Sequence, residues 1–272
     1  MKSSAFSGFY KISVAERQKE VAEFSNLTDG ELELLSMNGA LGLDVADHMV
    51  ENVIGTIQIP FGVAVNFLIN GKDYLIPMAT EEPSVIAAAS NMARLVRKGG
   101  GFHTSSTGSL MRAQIQALGV SDPEAARLRV LGAREELLAS ASAVDPMLVK
   151  CGGGAKDLEV HIVNTKVGVM VVTHLIVDTR DAMGANAVNS MAESLAPRIA
   201  ELTGGQVSLR ILSNLADRRL ARCWAKINKE DIGGEAVVDG IVEAYAFAAA
   251  GPYRAATPYK GIMNGITAAG LA

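Results

Sequence analysis

The 272-residue sequence predicts an α+β protein, a helix-rich large domain carrying an inserted ferredoxin-like, non-Rossmann domain. Three observations carry that reading. Residues 109–213 follow a helix, strand, strand, helix, strand rhythm with room for one strand in front, which is a split β-α-β layer rather than a doubly wound sheet. The stretches on either side, 1–108 and 214–272, are dominated by helical patterns, so they form one large domain interrupted by the insertion. No G-x-G-x-x-G occurs, because "CGGGAKD" and "KGGGFHT" both lack the last glycine.

Taken in order, "SVAERQKEVAEF" and "DGELELLSM" predict short helices, and "LDVADHMVENVIG" a third. "TIQIPFGVAVNFLINGKDYLIPMA" alternates β-branched and aromatic residues, and its "NGK" between two such runs predicts a two-residue hairpin. "SVIAAASNMARLV" is apolar around most of its circumference, which predicts a buried helix with Pro83 at its first position. The Gly and Ser/Thr stretch "RKGGGFHTSSTGS" then reads as a domain boundary. "LMRAQIQALG" fits a strand or a short helix, and "DPEAARLRVLGAREELLASASA" a single helix started by Asp122 and Pro123. "LEVHIVNT" and "VGVMVVTHLIVDT" predict strands, "ANAVNSMAESLAPRIAELTGG" a helix and "QVSLRILS" a closing strand. From Asn214 the chain is expected to turn helical again, most clearly in "GEAVVDGIVEAYAFAAAG".

With 49% hydrophobic and 20% charged residues, the chain has ample material for a core. A net charge of −4, with acids and bases interspersed, disfavours nucleic acid and anionic membrane as partners. Cys151 and Cys223 are too few and too far apart for a disulfide framework or a zinc site. With no signal-peptide core and no long apolar run, they point to a cytoplasmic protein. His161 and His174 lie in expected strands without a partner at metal-ligand spacing, and His48 and His103 are isolated, so no metal is expected.

Three stretches could carry chemistry. Glu81 and Glu82 precede a buried helix, where a carboxylate is either a solvated helix cap or an inward-facing proton donor. "DAMGAN" places Asp181, Met183, Gly184, Ala185 and Asn186 at a helix start, which is either a plain N-terminus or a seat for a pyrophosphate. "GPYRAATPYKGIMNGI" brings Arg254, Lys260 and Asn264 into what Pro252 and Pro258 make look like a loop. Those cations are either solvated or hold carboxylate, phosphate or a developing oxyanion.

Together, "ENVIGTIQIPFGVAVNFLINGKDYLIPMATEEPS", "DAMGANAVN" and "GPYRAATPYKGIMNGI" resemble the 3-hydroxy-3-methylglutaryl-CoA reductases, in wording the class II bacterial and archaeal branch. The resemblance runs from about Gly8 to the last residue. It implies reduction of 3-hydroxy-3-methylglutaryl-CoA to mevalonate and CoA with two NAD(P)H, or the reverse, in isoprenoid metabolism. It assigns Glu82 as proton donor and Lys260 as the group that stabilises the carbonyl oxygen. Ser84, Asn214, Arg254 and Asn264 would then surround the acyl group, and Asp181, Met183, Gly184, Ala185 and Asn186 would hold the dinucleotide. Asp145 falls where an acid reads the ribose 2′-hydroxyl, which favours NADH while leaving NADPH possible. A homodimer or higher oligomer with the active site at its interface is also implied.

The resemblance departs at the end of the sequence. The family's catalytic aspartate lies in a "TGND"-like segment expected just after Ala272, and its catalytic histidine in a C-terminal flap domain that the sequence lacks. The expectation is therefore an inactive fragment of a longer protein. The alternative is a shortened, non-catalytic relative that binds CoA thioester or NAD.

Overall fold

A computed structural model describes every residue except Met1, Asn38 and Ala40. In chain order its elements are a 3-10 turn at Phe9–Lys11, α1 (Val14–Ser25), α2 (Asp29–Ser36), α3 (Leu43–Met49), β1 (Phe61–Ile69), β2 (Lys72–Ala79), α4 (Val85–Lys98), β3 (Phe102–Ser106), β4 (Leu110–Leu118), α5 (Pro123–Gly132) and α6 (Arg134–Ser142). There follow α7 (Pro146–Lys150), β5 (Gly154–Thr165), β6 (Gly168–Asp178), α8 (Ala185–Thr203), β7 (Gln206–Ser213), β8 (Ala221–Ala225), α9 (Lys229–Ile232), α10 (Glu235–Ala250) and α11 (Pro252–Leu271). The chain divides into two compact units, Met1–Thr104 with Cys223–Ala272, and Ser105–Arg222.

In the first unit a four-stranded sheet runs β2-β1-β3-β8. The β1–β2 hairpin turns at Asn70 and Gly71, whose φ angles of 49° and 79° are the two left-handed residues that a tight mirror-image turn needs. α1 and α2 each open with a reciprocal capping box, Ser13 with Glu16 and Thr28 with Glu31, satisfying backbone donors that would otherwise lack partners. A short N-terminal segment is sewn to the hairpin. Ser4 is fully buried, and its hydroxyl donates to Phe67 O at 2.9 Å and to Asp73 Oδ1 at 2.7 Å.

Several expectations for this unit are corrected. α4 begins at Val85 rather than Pro83, because Ser84 takes a left-handed φ of 70° that the helix cannot continue. Only Ala93 and Val96 of α4 are buried, so the helix lies on β1 by one face and leaves Ala87, Ala88 and Met92 exposed. β3 occupies the stretch read as a boundary, and β8 stands where helix was expected. α3 stops at Met49, short of the expected Gly55. The supposed loop around Arg254, Lys260 and Asn264 is one helix, α11. Pro252 sits in its first turn, where no N–H is needed, and Pro258 costs only the bond to the Arg254 carbonyl.

The second unit is ferredoxin-like, an antiparallel sheet in the order β5-β6-β4-β7 with helices on one face. Strict alternation builds it. Ala113, Ile115 and Ala117 of β4 are fully buried, while Arg112, Gln114 and Gln116 take the other face. Leu158, Leu175 and Val177 meet Val130, Leu137, Val188, Met191, Leu195 and Ile199 from the helices in the core. The helix expected to run through 122–143 is two helices, α5 and α6, joined at Gly132 and Ala133. The unit's limits also differ from 109 and 213. Residues 214–222 belong with it, because Arg218 bonds to Glu159, Asp217 bonds to Arg112, and Leu220 N–H donates to Thr107 Oγ1.

Candidate functional site

In the first unit, Glu82 follows β2 and α11 packs on that strand. Lys260, Asn264 and Ala268 are spaced four residues apart, so they share one helix face. Ala268 is buried with Ala64 and Met78 of the sheet, and this fixes the same face toward Glu82. Lys260 Nζ lies 2.5 Å from Glu82 Oε2, and Asn264 Nδ2 donates to the same oxygen at 3.1 Å. Two readings stand open for Glu82, a solvated cap or an inward-facing carboxylate, and the side chain is not enclosed. Its side chain is 43% exposed and Lys260's is 62%.

Glu82 and Ser84 also line a cavity of about 1030 Å³ whose wall includes Lys11, Arg17, Asn91 and Arg94. Ser84 holds its left-handed backbone here, a strained conformation for a residue with a Cβ and one that clusters at functional sites. The four additional polar residues were not singled out from sequence, since none belongs to a motif. Arg254 is exposed on the first turn of α11 and has no side-chain hydrogen bond among the described residues.

In the second unit, Asp181–Asn186 bridge the end of β6 and the start of α8. Gly184 is the N-cap at φ 95°, and no side chain caps the helix. A Cβ on Gly184 would fall 2.6 Å from Thr179 Cγ2 and 2.7 Å from Met111 Sδ, so only glycine lets the loop lie this close to the sheet. The cradle fits a pyrophosphate, since the first N–H groups of a 19-residue helix point outward beside small residues. Met183 and Asn214 line a cleft of about 250 Å³ with Arg112, Asp217, Arg218 and Arg219. Asn214, expected with the acyl-binding groups, is thus part of the second unit. Asp145 is half-buried and caps α7, its Oδ1 accepting from Leu148 N–H at 2.9 Å.

The sheet face of this unit away from the helices holds a cluster that sequence spacing does not reveal. Glu159 pairs directly across the ladder with His174, and the rings of His161 and His174 lie 4.5 Å apart. One ligand atom from each of Glu159, His161 and His174 falls within 4.8 Å of the others, which corrects the view that these histidines lack a partner. The cluster is already neutralised. Arg112 Nη1 donates to Glu159 at 2.8 Å and to His174 Nδ1 at 2.6 Å, and Arg218 bonds to the other Glu159 oxygen. A divalent ion there would face two guanidinium groups, so the arrangement is a salt-bridge lattice. Burial, then His161 and Arg112, push the His174 imidazole down to about 4, against the pull of Glu159 and Asp217.

The sequence profile of the family described as hydroxymethylglutaryl-coenzyme A reductase matches residues 13–272. The chain is 59% identical over 266 residues to the 3-hydroxy-3-methylglutaryl-coenzyme A reductase of Archaeoglobus fulgidus, covering 98% of this chain and 61% of that protein. It is 32% identical to a probable reductase of Borreliella burgdorferi, covering 96% of this chain and 59% of that one. It therefore spans about three-fifths of the length of these curated relatives. A solved reductase of Streptococcus pneumoniae superposes with a TM-score of 0.94 at 37% identity, covering 98% of this chain and 74% of that one. A second solved structure, the class II enzyme of the same organism bound to NADPH in open conformations, gives 0.94 at 36% identity, covering the same 98% and 74%. With profile, curated relatives and solved folds in agreement, the chain belongs to the hydroxymethylglutaryl-coenzyme A reductase family.

Proposed function

We propose that the protein from which this chain is read reduces 3-hydroxy-3-methylglutaryl-CoA to mevalonate and CoA, or runs the reverse. The carrying observation is the convergence of Lys260 and Asn264 on Glu82. Two hydrides and two protons turn a thioester into a primary alcohol and a free thiol, and the nicotinamide, when bound, supplies the hydrides. Lys260 offers its ammonium to the carbonyl oxygen as negative charge develops there. Glu82 delivers a proton, and Asn264 holds its carboxylate in place. Ser84 and Arg254 take the acyl carboxylate. The cavity beside Glu82 and Ser84, with Lys11, Arg17 and Arg94 in its wall, suits a long phosphorylated thioester.

Asp181, Met183, Gly184, Ala185 and Asn186 hold the dinucleotide pyrophosphate, and Asp145 favours NADH by repelling a 2′-phosphate. The Streptococcus pneumoniae structure described as bound to NADPH keeps NADPH open as a second cofactor. We place the protein in the cytoplasm, where Cys151 and Cys223, both free, would stay reduced. No helix among the described residues is long and apolar enough to cross a membrane. α10 has no buried residue, and Ile241, Val242, Tyr245 and Phe247 on it are exposed, which supports a homodimer or higher oligomer. Sedimentation of residues 1–272 as a monomer at micromolar concentration would count against that assembly.

Residues 1–272 alone are expected to bind ligands without turnover, since the "TGND" aspartate and the flap histidine act with Lys260 as a unit. The test joins residues 1–272 to the C-terminal part of the Archaeoglobus fulgidus relative. Cofactor oxidation dependent on 3-hydroxy-3-methylglutaryl-CoA is expected from the chimera and not from residues 1–272. Mevalonate formed by residues 1–272 at ordinary enzymatic rates overturns the roles given to the absent residues. A folded chimera that binds both ligands without reducing either favours a non-catalytic relative.

A further inference from the structure

We infer that Arg219 is the positioning residue of the dinucleotide loop, an inference that rests on the cofactor reading of Asp181–Asn186. Its guanidinium donates from Nη2 to Ala182 O at 3.4 Å, and from Nη1 to Met183 O and Thr179 Oγ1, each at 3.4 Å. All three acceptors lie on the six residues that lead into α8. Thr179 is fully buried and tied to the start of β4, its N–H donating to Ser109 O at 3.0 Å. Ala182 N–H in turn donates to Thr179 O at 3.1 Å. Thr179 thus holds the Ala182 N–H of this turn, and Arg219 holds the carbonyls of Ala182 and Met183.

Carbonyl oxygens carry partial negative charge. Left free beside the start of α8, those of Ala182 and Met183 would repel the phosphate oxygens that the helix N–H groups are there to receive. Arg219 offers each a donor and offsets part of that charge. The neighbouring arginines are committed elsewhere, Arg112 and Arg218 to Glu159 and Asp217. Among the described residues Arg219 has no carboxylate within ion-pair distance, so its bonds to this turn are not secondary to a salt bridge. The planar fork suits the task, because it spans adjacent carbonyls with fixed geometry, whereas an ammonium satisfies them as a point charge.

The experiment compares residues 1–272 with Arg219→Ala and Arg219→Lys by amide hydrogen exchange and by fluorescence titration with NADH and NADPH. Arg219→Ala is expected to speed exchange at Ala182 and Val188, whose N–H groups bond to Thr179 and Gly184 carbonyls, and to weaken both dinucleotides about tenfold. Arg219→Lys should recover part of both losses, and exchange along β4 and β6 should stay as in the unaltered chain. Should Arg219→Ala lose β4 and β6 protection as well, Arg219→Lys decides by the same two readouts. Unchanged exchange at Ala182 and Val188, or a loosened turn with unchanged affinities, overturns the inference. An unaltered chain that binds neither dinucleotide overturns the cofactor reading itself, whatever the exchange shows.

Discussion

Lys260 Nζ and Glu82 Oε2 lie 2.5 Å apart although they stand 178 positions apart in sequence. The ion pair follows from backbone packing. Ala268 anchors α11 against Ala64 and Met78, and the two turns before it carry Asn264 and Lys260 out over the end of β2. Both side chains are more than a third exposed, so the pair contributes little to stability, on the order of 0–1 kcal/mol.

Glu82→Gln separates those roles. In the chimera with the Archaeoglobus fulgidus C-terminal part, the amide preserves shape and accepts from Asn264 but cannot deliver a proton. Turnover should fall by about 10²–10⁴ while substrate binding and thermal midpoint hold. Turnover within about threefold of the unaltered chimera would remove Glu82 from proton transfer.

Asp145 has two jobs to distinguish, since it caps α7 and is proposed to read the ribose. Asp145→Ser keeps an oxygen for Leu148 N–H and removes the charge. It should shift the ratio of NADPH to NADH affinity upward by about 5–150-fold with little change in stability. Asp145→Ala should give the same shift and lose about 1 kcal/mol through the cap. An unchanged ratio with Asp145→Ser would show that the acid is a cap alone.

Much of this architecture was legible because local patterns and tertiary packing agree. "QVSLRILS" is β7 residue for residue, Asn70 and Gly71 turn as their left-handed preference requires, and Asp122 with Pro123 opens α5. The failures arise where packing overrides local signals. Pro252 and Pro258 read as loop, yet burial of Ala268 holds α11 together across one missing hydrogen bond. Glu82 came from a motif and Lys260 from another, but their contact depends on which face α11 presents to β2. The Glu159, His161 and His174 cluster was invisible because ladder register assembles it, and the two histidines stand thirteen positions apart without any ligand spacing.

His174 should titrate near 4 rather than near 6.5, because burial, His161 and Arg112 all disfavour its charged form. The unfolded chain then binds more protons than the folded one between those values. The resulting stability is fully present above about pH 6.5 and is lost as pH falls toward 4, at most about 3 kcal/mol. Nuclear magnetic resonance of the His174 ring checks the midpoint, and His174→Gln should flatten the pH dependence of the second unit's melting in that window. A midpoint near 6.5 would mean that the imidazole is not held neutral by the lattice.

Asp73 should govern acid unfolding of the first unit. Burial alone would raise its carboxyl, but Arg97 Nη1 at 2.6 Å, together with the Ser4 hydroxyl and N–H, each at 2.7 Å, outweighs that and holds it at about 2. All three donors converge on Oδ1, so a single oxygen joins the N-terminal segment, the hairpin and α4. A carboxyl depressed from 3.8 stabilises the fold fully above about pH 5, and that contribution fades as pH falls through 2. Its size is about 2 kcal/mol. Other carboxylates titrate in the same range, so the informative quantity is the difference in unfolding free energy between the unaltered chain and Asp73→Asn. That difference should be large at pH 5 and shrink by most of those 2 kcal/mol as pH approaches 2. Arg97→Met should abolish most of the pH dependence of the difference, since it removes the principal cation facing Asp73. A difference that stays constant from pH 5 to pH 2 would show that Asp73 contributes through packing and neutral hydrogen bonds, and that the charge of the carboxylate is immaterial to the clamp.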